Sequence, residues 1–389
     1  MELQKIDRLT TLTLGAFAAT AVASIALQNL LLLAIALWGI AAWRHGLRPS
    51  LPRRPFTLVT LLFLATFLLS SALGVDPRGS FQSVHKYLLL LALFPIAAMR
   101  LKGSTARHPL YLYTAGAAVC ALWGIAKHFF GQTDGIPAFF VREERIRSFS
   151  GHYMVFGGLL MLAVLLGFYF LLKNPRDRWS WAFLGLNLYG LMLTGTRGAW
   201  LGLAVGFVLW GFFTNKRWML AGLAALLTVF LLVPNSGRDR IFDILQRNDR
   251  FERSSDVERL LIWKAGLRIV QDHMVFGIGH GSIGKVYPSY KETKATEQTV
   301  SHMHNNFMQI AVQNGLVGLG VFLAWLGVYV WTVRRERPLD PEDARLHFTL
   351  SCAFLASMVW GLTEYTFSHQ FLSVQALLLG VQMGLTQKS

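Results

Sequence analysis

Two residue types suited to group transfer recur in the second half of this chain. One is arginine, which holds anions, and the other is histidine, which moves protons. Arg197 stands in LTGTRGAW, residues 193–200, with a long apolar run on either side. Arg259 and Arg268 share the stretch SDVERLLIWKAGLRIVQ, residues 255–271. Arg142, Arg145, Arg147 and His152 form a third group, and VSHMHNNFMQIAVQNGLVGLG, residues 300–320, carries His302 and His304 ahead of Asn305, Asn306, Gln309 and Gln313. A guanidinium grips phosphate oxygens bidentately through its planar fork. Histidine, with an ordinary pKa of about 6.5, can take a proton from a hydroxyl near neutral pH. The combination points to an anionic, phosphate-bearing ligand beside a general base.

The elements that position these residues are membrane helices. Of 389 residues, 53% are hydrophobic and 15% charged, with a mean hydropathy of +0.43; soluble domains carry about a quarter charged residues. A helix crossing the hydrocarbon needs about 20 mostly apolar residues, because its backbone groups must be satisfied internally. Apolar runs fall at 10–27, 29–43, 56–73, 84–99, 109–130, 152–172, 179–195, 198–214, 217–233, 314–333, 346–364 and 369–386. They predict an all-α, polytopic membrane protein of about twelve transmembrane helices; the alternation of barrel strands is missing. The first run follows Lys5 and Arg8, has no small-residue cleavage site and leads directly into another span, so no cleavable signal is expected. Cys120 and Cys352 each lie inside an apolar run and are read as buried, unpaired thiols.

Lys and Arg mark cytoplasmic loops. They follow the even-numbered spans, at Arg44, Arg48, Arg53 and Arg54, at Arg100, Lys102 and Arg107, at Lys173, Arg176 and Arg178, at Lys216 and Arg217, and at Arg334, Arg335 and Arg337. Both termini are then cytoplasmic, and Arg197 faces outward with the large loop between helices 9 and 10. The expected division is a transmembrane bundle over 1–234, an outer loop domain with short helices over 235–303, and C-terminal transmembrane helices over 304–389. The loop arginines have two readings. One is a solvated face paired with the interleaved acids Asp239, Asp243, Asp249, Glu252, Asp256 and Glu258. The other is an anion site at the membrane surface, with a lipid-linked pyrophosphate as the natural ligand. A net charge of +16 suits anionic lipids generally, so the bilayer, not nucleic acid, is the expected partner.

Within the loop, Leu260, Trp263, Leu267 and Val270 recur at helical spacing, and Ser255 with Glu258 would form a capping box. Nine residues place Arg259 and Arg268 about 180° apart on that helix, so one small ligand meets both only if the helix ends between them. GIGHGSIG, residues 277–284, reads as a flexible connector or a weak phosphate loop. His302, Asn306, Gln309 and Gln313 make a polar stripe on a helix entering the membrane, which would face a protein cavity.

Two stretches resemble one family. TGTRGAWLG, residues 194–202, is similar to the TxSRGAW-like turn of the O-antigen ligase and O-antigen polymerase superfamily. His304 and Asn305, followed by nine residues, Gly315, two residues and Gly318, fit its H[NSQ]x9Gxx[GTY] pattern. Between them, residues 258–284 look like the family's R-x-x-x-W segment with its FGIG continuation, which matches Arg259 and Trp263. Span number, basic charge and the single large loop favour the ligase branch.

The resemblance implies transfer of an O-antigen glycan from undecaprenyl pyrophosphate to a sugar of the lipid A core, at the periplasmic face of the bacterial inner membrane. Arg197 and Arg259, with Arg268 in reserve, would stabilise charge on the departing pyrophosphate. The motif assigns the general base to His304, whereas the helical stripe favours His302. Direct attack would invert the anomeric configuration. Arg142, Arg145, Arg147 and His152 either hold a phosphorylated acceptor or pair with Glu143 and Glu144. No cofactor and no metal are expected, because Asp-x-Asp pairs are missing and arginines would stand in for Mg²⁺. The rivals are the polymerase, a protein glycosyltransferase of the same superfamily, and a transporter that binds lipid pyrophosphate without chemistry.

Overall fold

The computed structural model describes residues 2–44, 51–131, 145–147, 149, 152–213, 216–217, 220, 222–224, 227 and 255–387. Among these residues the chain is helical, without a strand. In order come α1 (Glu2–Thr20), α2 (Ile25–Arg44), α3 (Arg54–Leu73), α4 (Pro77–Val84), a 3-10 stretch (His85–Ala92), α5 (Leu93–Ala98), α6 (Gly103–Phe130), α7 (Tyr153–Lys173), α8 (Arg178–Thr194) and α9 (Arg197–Phe213). After the undescribed part of the loop follow α10 (Ser255–Asp272), the single turn α11 (Ile283–Val286), α12 (Asn306–Arg335), α13 (Pro341–Trp360) and α14 (His369–Leu385). Among the described residues, five stretches are long and apolar enough to cross a membrane: Arg54–Leu73, Pro77–Ala98, Gly103–Phe130, Tyr153–Lys173 and Asn306–Arg335. All expected spans but 217–233, which lies mostly outside the described residues, have helical counterparts. Leu30, Leu33, Leu37, Leu58, Leu62 and Leu69 are exposed on the helix surfaces, as lipid-facing residues would be.

Several boundaries differ from expectation, with α6 and α12 starting six and eight residues before the apolar runs at 109 and 314. The first break falls at residues 20–24, not at 28, because Ser24 starts α2, accepting from the amide of Leu27 through its hydroxyl, while Gln28 is buried and donates to the Ala21 carbonyl. Cys120 and Cys352 are buried and unpaired, as expected.

The helix α7 forms the centre, with 89% of its apolar window buried against no more than 50% for the other candidate spans. Its neighbour α8 ends at Gly195, whose φ of +64° gives a left-handed cap that turns the chain straight into α9. There Gly198 and Gly202, one turn apart, let α9 lie against the end of α13. A Cβ on Gly198 would sit 2.3 Å from the Thr363 hydroxyl and 2.8 Å from Trp360, and one on Gly202 would sit 2.6 Å from the Ala356 carbonyl. This small-xxx-small contact explains why RGAWLG has that spacing.

The helix α12 is broken at Gly315, where φ is +66° and ψ −171°. The segment 274–279 fills the break: Leu316 donates to the Met274 carbonyl at 2.8 Å, and Ile278 and Gly279 donate to Val312 and Gln313 at 3.0 and 3.1 Å. A Cβ at Gly315 would lie 2.2 Å from the Val275 carbonyl oxygen, so the motif glycine is required by close backbone approach as well as by φ. GIGHGSIG is therefore packed into the fold and is no free connector. Its His280 is fully buried between the rings of Phe67 and Tyr87, and burial holds its imidazole down to about 3.

Against α10, the buried face is Ile262, Ala265 and Ile269, packed with Ile283, Tyr287, Val300 and Met303; Leu260 and Leu267 are exposed. Two apolar stripes offset by about two-fifths of a turn run along this helix, and tertiary packing chose the other one as its centre. The Glu258 carboxylate accepts from the amides of Thr296 and Glu297 at 3.1 and 3.0 Å, and the Ser255 side chain of the expected capping box lies outside the described residues.

Candidate active site

The helix α12 starts at Asn306, with Asn305 as its N-cap accepting from Phe307 and Met308 at 2.9 and 3.0 Å. Both histidines therefore lie on the entering chain, and His304 has a left-handed φ of +48°, an uncommon conformation for a residue with a Cβ. The polar side chains that follow tie this chain down. Asn305 donates to the Leu362 carbonyl at 2.9 Å. Asn306 brackets Thr366 through its hydroxyl (2.7 Å) and amide (2.8 Å), and Gln309 accepts from the Met303 amide at 2.7 Å. The expected stripe thus begins at Asn306 and excludes His302; Asn306 holds the 361–366 turn, Gln309 the Met303 amide, and Gln313 accepts from the Tyr87 hydroxyl at 3.3 Å.

That turn supplies Glu364, which the sequence reading did not single out. Its carboxylate is buried and collects four donors: His302 Nε2 at 3.1 Å, His304 Nδ1 at 3.1 and 3.3 Å, Arg259 at 3.4 Å and the Tyr365 amide at 3.0 Å. Burial alone would raise its pKa, but the hydrogen bonds and charges of the two histidines outweigh that and hold it well below the usual carboxylate range. In sequence Glu364 is marked only as the one acid after Asp343, at the end of an apolar run, and its role emerges from partners distant in the chain.

The two imidazoles differ in what they leave open. His302 is engaged at both nitrogens, through Glu364 and, at 2.9 Å, the Ser301 hydroxyl. His304 is held at Nδ1, which directs Nε2 away from the carboxylate. His152, the N-cap of α7, lies in the field of this cluster; burial lowers its pKa most, Glu364 pulls it up, and His302, His304 and Arg147 push it down.

Arginines complete the site. Arg197, the first residue of α9, donates from one guanidinium nitrogen to both oxygens of Asp256 at 2.8 and 3.0 Å, and Arg259 lies 4.0 Å from the same carboxylate. Arg145, Arg197 and Arg259 line one small cleft of about 50 Å³, together with Tyr153, Thr196, Thr363 and Glu364. Its fixed charges are three guanidiniums against Asp256 and Glu364. Arg145 also stacks over the Tyr153 ring at 5.0 Å. Arg147 is exposed nearby in sequence, and Arg142, Glu143 and Glu144 lie outside the described residues. Arg268 is not brought to the cleft. Because α10 continues unbroken, the arginine points to the opposite side and binds Glu292 at 2.8 Å and the Tyr290 carbonyl at 3.2 Å.

Comparison with known proteins agrees with the motifs. Residues 182–323 match the family model described as O-antigen ligase, a stretch that contains Arg197, Arg259, His302 and His304. The match supports the O-antigen ligase superfamily and, with it, a glycosyltransferase-like enzyme of the ligase or polymerase kind. A search of the curated proteins finds no match.

Proposed function

We propose that this chain is an O-antigen ligase, moving O-antigen polysaccharide from undecaprenyl pyrophosphate to a sugar hydroxyl of the lipid A core at the periplasmic face of the inner membrane. The observation that carries the proposal is the juxtaposition of an arginine cleft with a histidine held by a buried carboxylate. A glycosyl pyrophosphate has its leaving group built in, so it needs charge stabilisation more than protonation. Arg197 and Arg259, with Arg145, offer positive charge fixed by Asp256 and by packing, so little reorganisation is needed as charge develops.

The acceptor hydroxyl attacks the anomeric carbon while its proton passes to Nε2 of His304. The anomeric carbon–phosphate oxygen bond breaks, and undecaprenyl pyrophosphate departs. Glu364 keeps His304 in the tautomer with Nδ1 protonated and stabilises the imidazolium that forms. One displacement inverts the anomeric centre. His302 supports Glu364 from the other side, and no metal is needed. Arg145, Arg147 and His152 border the side from which a phosphorylated acceptor would approach, with Arg142 assigned there from sequence. Arg268 belongs to the fold of the loop.

Replacement of Arg197 or of His304 by Ala is expected to leave the protein in the membrane and abolish transfer to rough lipopolysaccharide. Full activity in His304→Ala with loss in His302→Ala would move the base to His302. Full activity in both would remove general-base catalysis from the account. Growth of lipid-linked glycan in place of transfer to the core would mark the polymerase branch.

A further inference from the structure

We infer that His302, His304 and Glu364 also form a binding site for a borderline divalent ion such as Zn²⁺ or Co²⁺, and that its occupancy switches the site off. The inhibition rests on the function proposed above; the binding does not. One ligand atom from each of the three residues lies within 4.8 Å of the others, and both imidazoles place a nitrogen 3.1 Å from the same Glu364 oxygen. Ligands of a tetrahedral ion with metal–nitrogen bonds of about 2.0 Å are roughly 3.3 Å apart, so the existing spacing nearly matches.

Outer contacts suited to such a site are also present. Ser301 engages the second nitrogen of His302 at 2.9 Å, which orients the ring with Nε2 toward the carboxylate. Arg259 holds the other Glu364 oxygen at 3.4 Å. Three protein ligands leave a fourth position of a tetrahedral ion to solvent, to which both imidazoles are partly exposed. The donor set is selective. Mg²⁺ and Ca²⁺ prefer all-oxygen shells, and two imidazoles favour the later first-row ions. The nearby guanidinium disfavours any ion that cannot recover its cost through bonds to nitrogen.

Binding at His302 Nε2 and His304 Nδ1 moves each neutral ring's proton to its other nitrogen, so Nε2 of His304 no longer has a lone pair free for the acceptor's proton. It also puts positive charge on the ring that must accept the acceptor's proton, so transfer stops.

The test is a Co²⁺ titration of the full-length protein in detergent, read by the visible ligand-field band. One equivalent per chain is expected to give the band of a four- or five-coordinate ion, displaced by Zn²⁺ and indifferent to excess Mg²⁺. The band is expected to vanish in His302→Ala and Glu364→Ala and to persist in His128→Ala. Because a variant can misfold, X-ray absorption at the zinc edge of the unaltered protein gives a second reading. Two imidazole nitrogens with oxygen support the site, and a sulfur-containing or all-oxygen shell overturns it. In the transfer assay, Zn²⁺ is expected to inhibit and a chelator to restore activity. No Co²⁺ band with transfer intact overturns this inference alone; a band in a protein that transfers no glycan overturns the function and keeps the site.

Discussion

Glu364 does two jobs with one carboxylate: it orders the entering chain and sets which nitrogen of His304 is available. Its depressed pKa makes both jobs pH dependent. A carboxylate whose folded value lies below the ordinary value of about 4.3 contributes stability in full above that value and loses it as the pH falls through the folded value. Glu364→Gln is therefore expected to cost about 3 kcal/mol near neutral pH, with the gap in unfolding temperature between variant and parent closing below about pH 4. Activity is expected to fall by roughly two to four orders of magnitude, since the amide no longer fixes the tautomer. A gap independent of pH would mean that the side chain acts by shape alone. Arg197 was legible as a charge between two apolar runs, and Arg259 and His304 through their match to the family motifs. Glu364 was not, because its meaning comes from partners 60 and 62 residues away in the chain.

At the scale of elements, what reads as catalytic sequence is partly packing. In RGAWLG the arginine serves the cleft, while the two glycines let α9 touch α13 and thereby bring Arg197 near Glu364. Gly198→Val is expected to insert normally, lower the unfolding temperature in detergent and reduce transfer strongly, because Trp360 and Thr363 would have to move. Unchanged stability would show that the helices can part without cost. The pattern with Gly315 likewise records a helix break filled by the FGIG segment. Helix existence was readable from apolar runs, but the register of α10 and the end of α1 were not. Each depended on which of two acceptable faces or breaks met the rest of the molecule.

Across the whole molecule, connectivity gathers the cleft at one end of the bundle. The end of α8, the start of α9, the start of α12 and the end of α13 meet there, and the α1–α2 turn joins them through Gln370 and Ala21. Arg107 with Asp343, and Arg53 with Glu336, mark the opposite end, where α1 begins and α14 finishes. This separation agrees with the loop charges, from which we propose that the cleft faces the periplasm. A reporter fused after Ser389 should then be active only as a cytoplasmic reporter; periplasmic activity would invert the assignment. The central claim is tested most directly by purified protein reconstituted with glycan-linked undecaprenyl pyrophosphate and rough lipopolysaccharide, in the presence of chelator. The account predicts glycan joined to the lipid A core with inverted anomeric configuration, lost in His304→Ala. Retention of configuration, or an absolute requirement for a divalent ion, would contradict it.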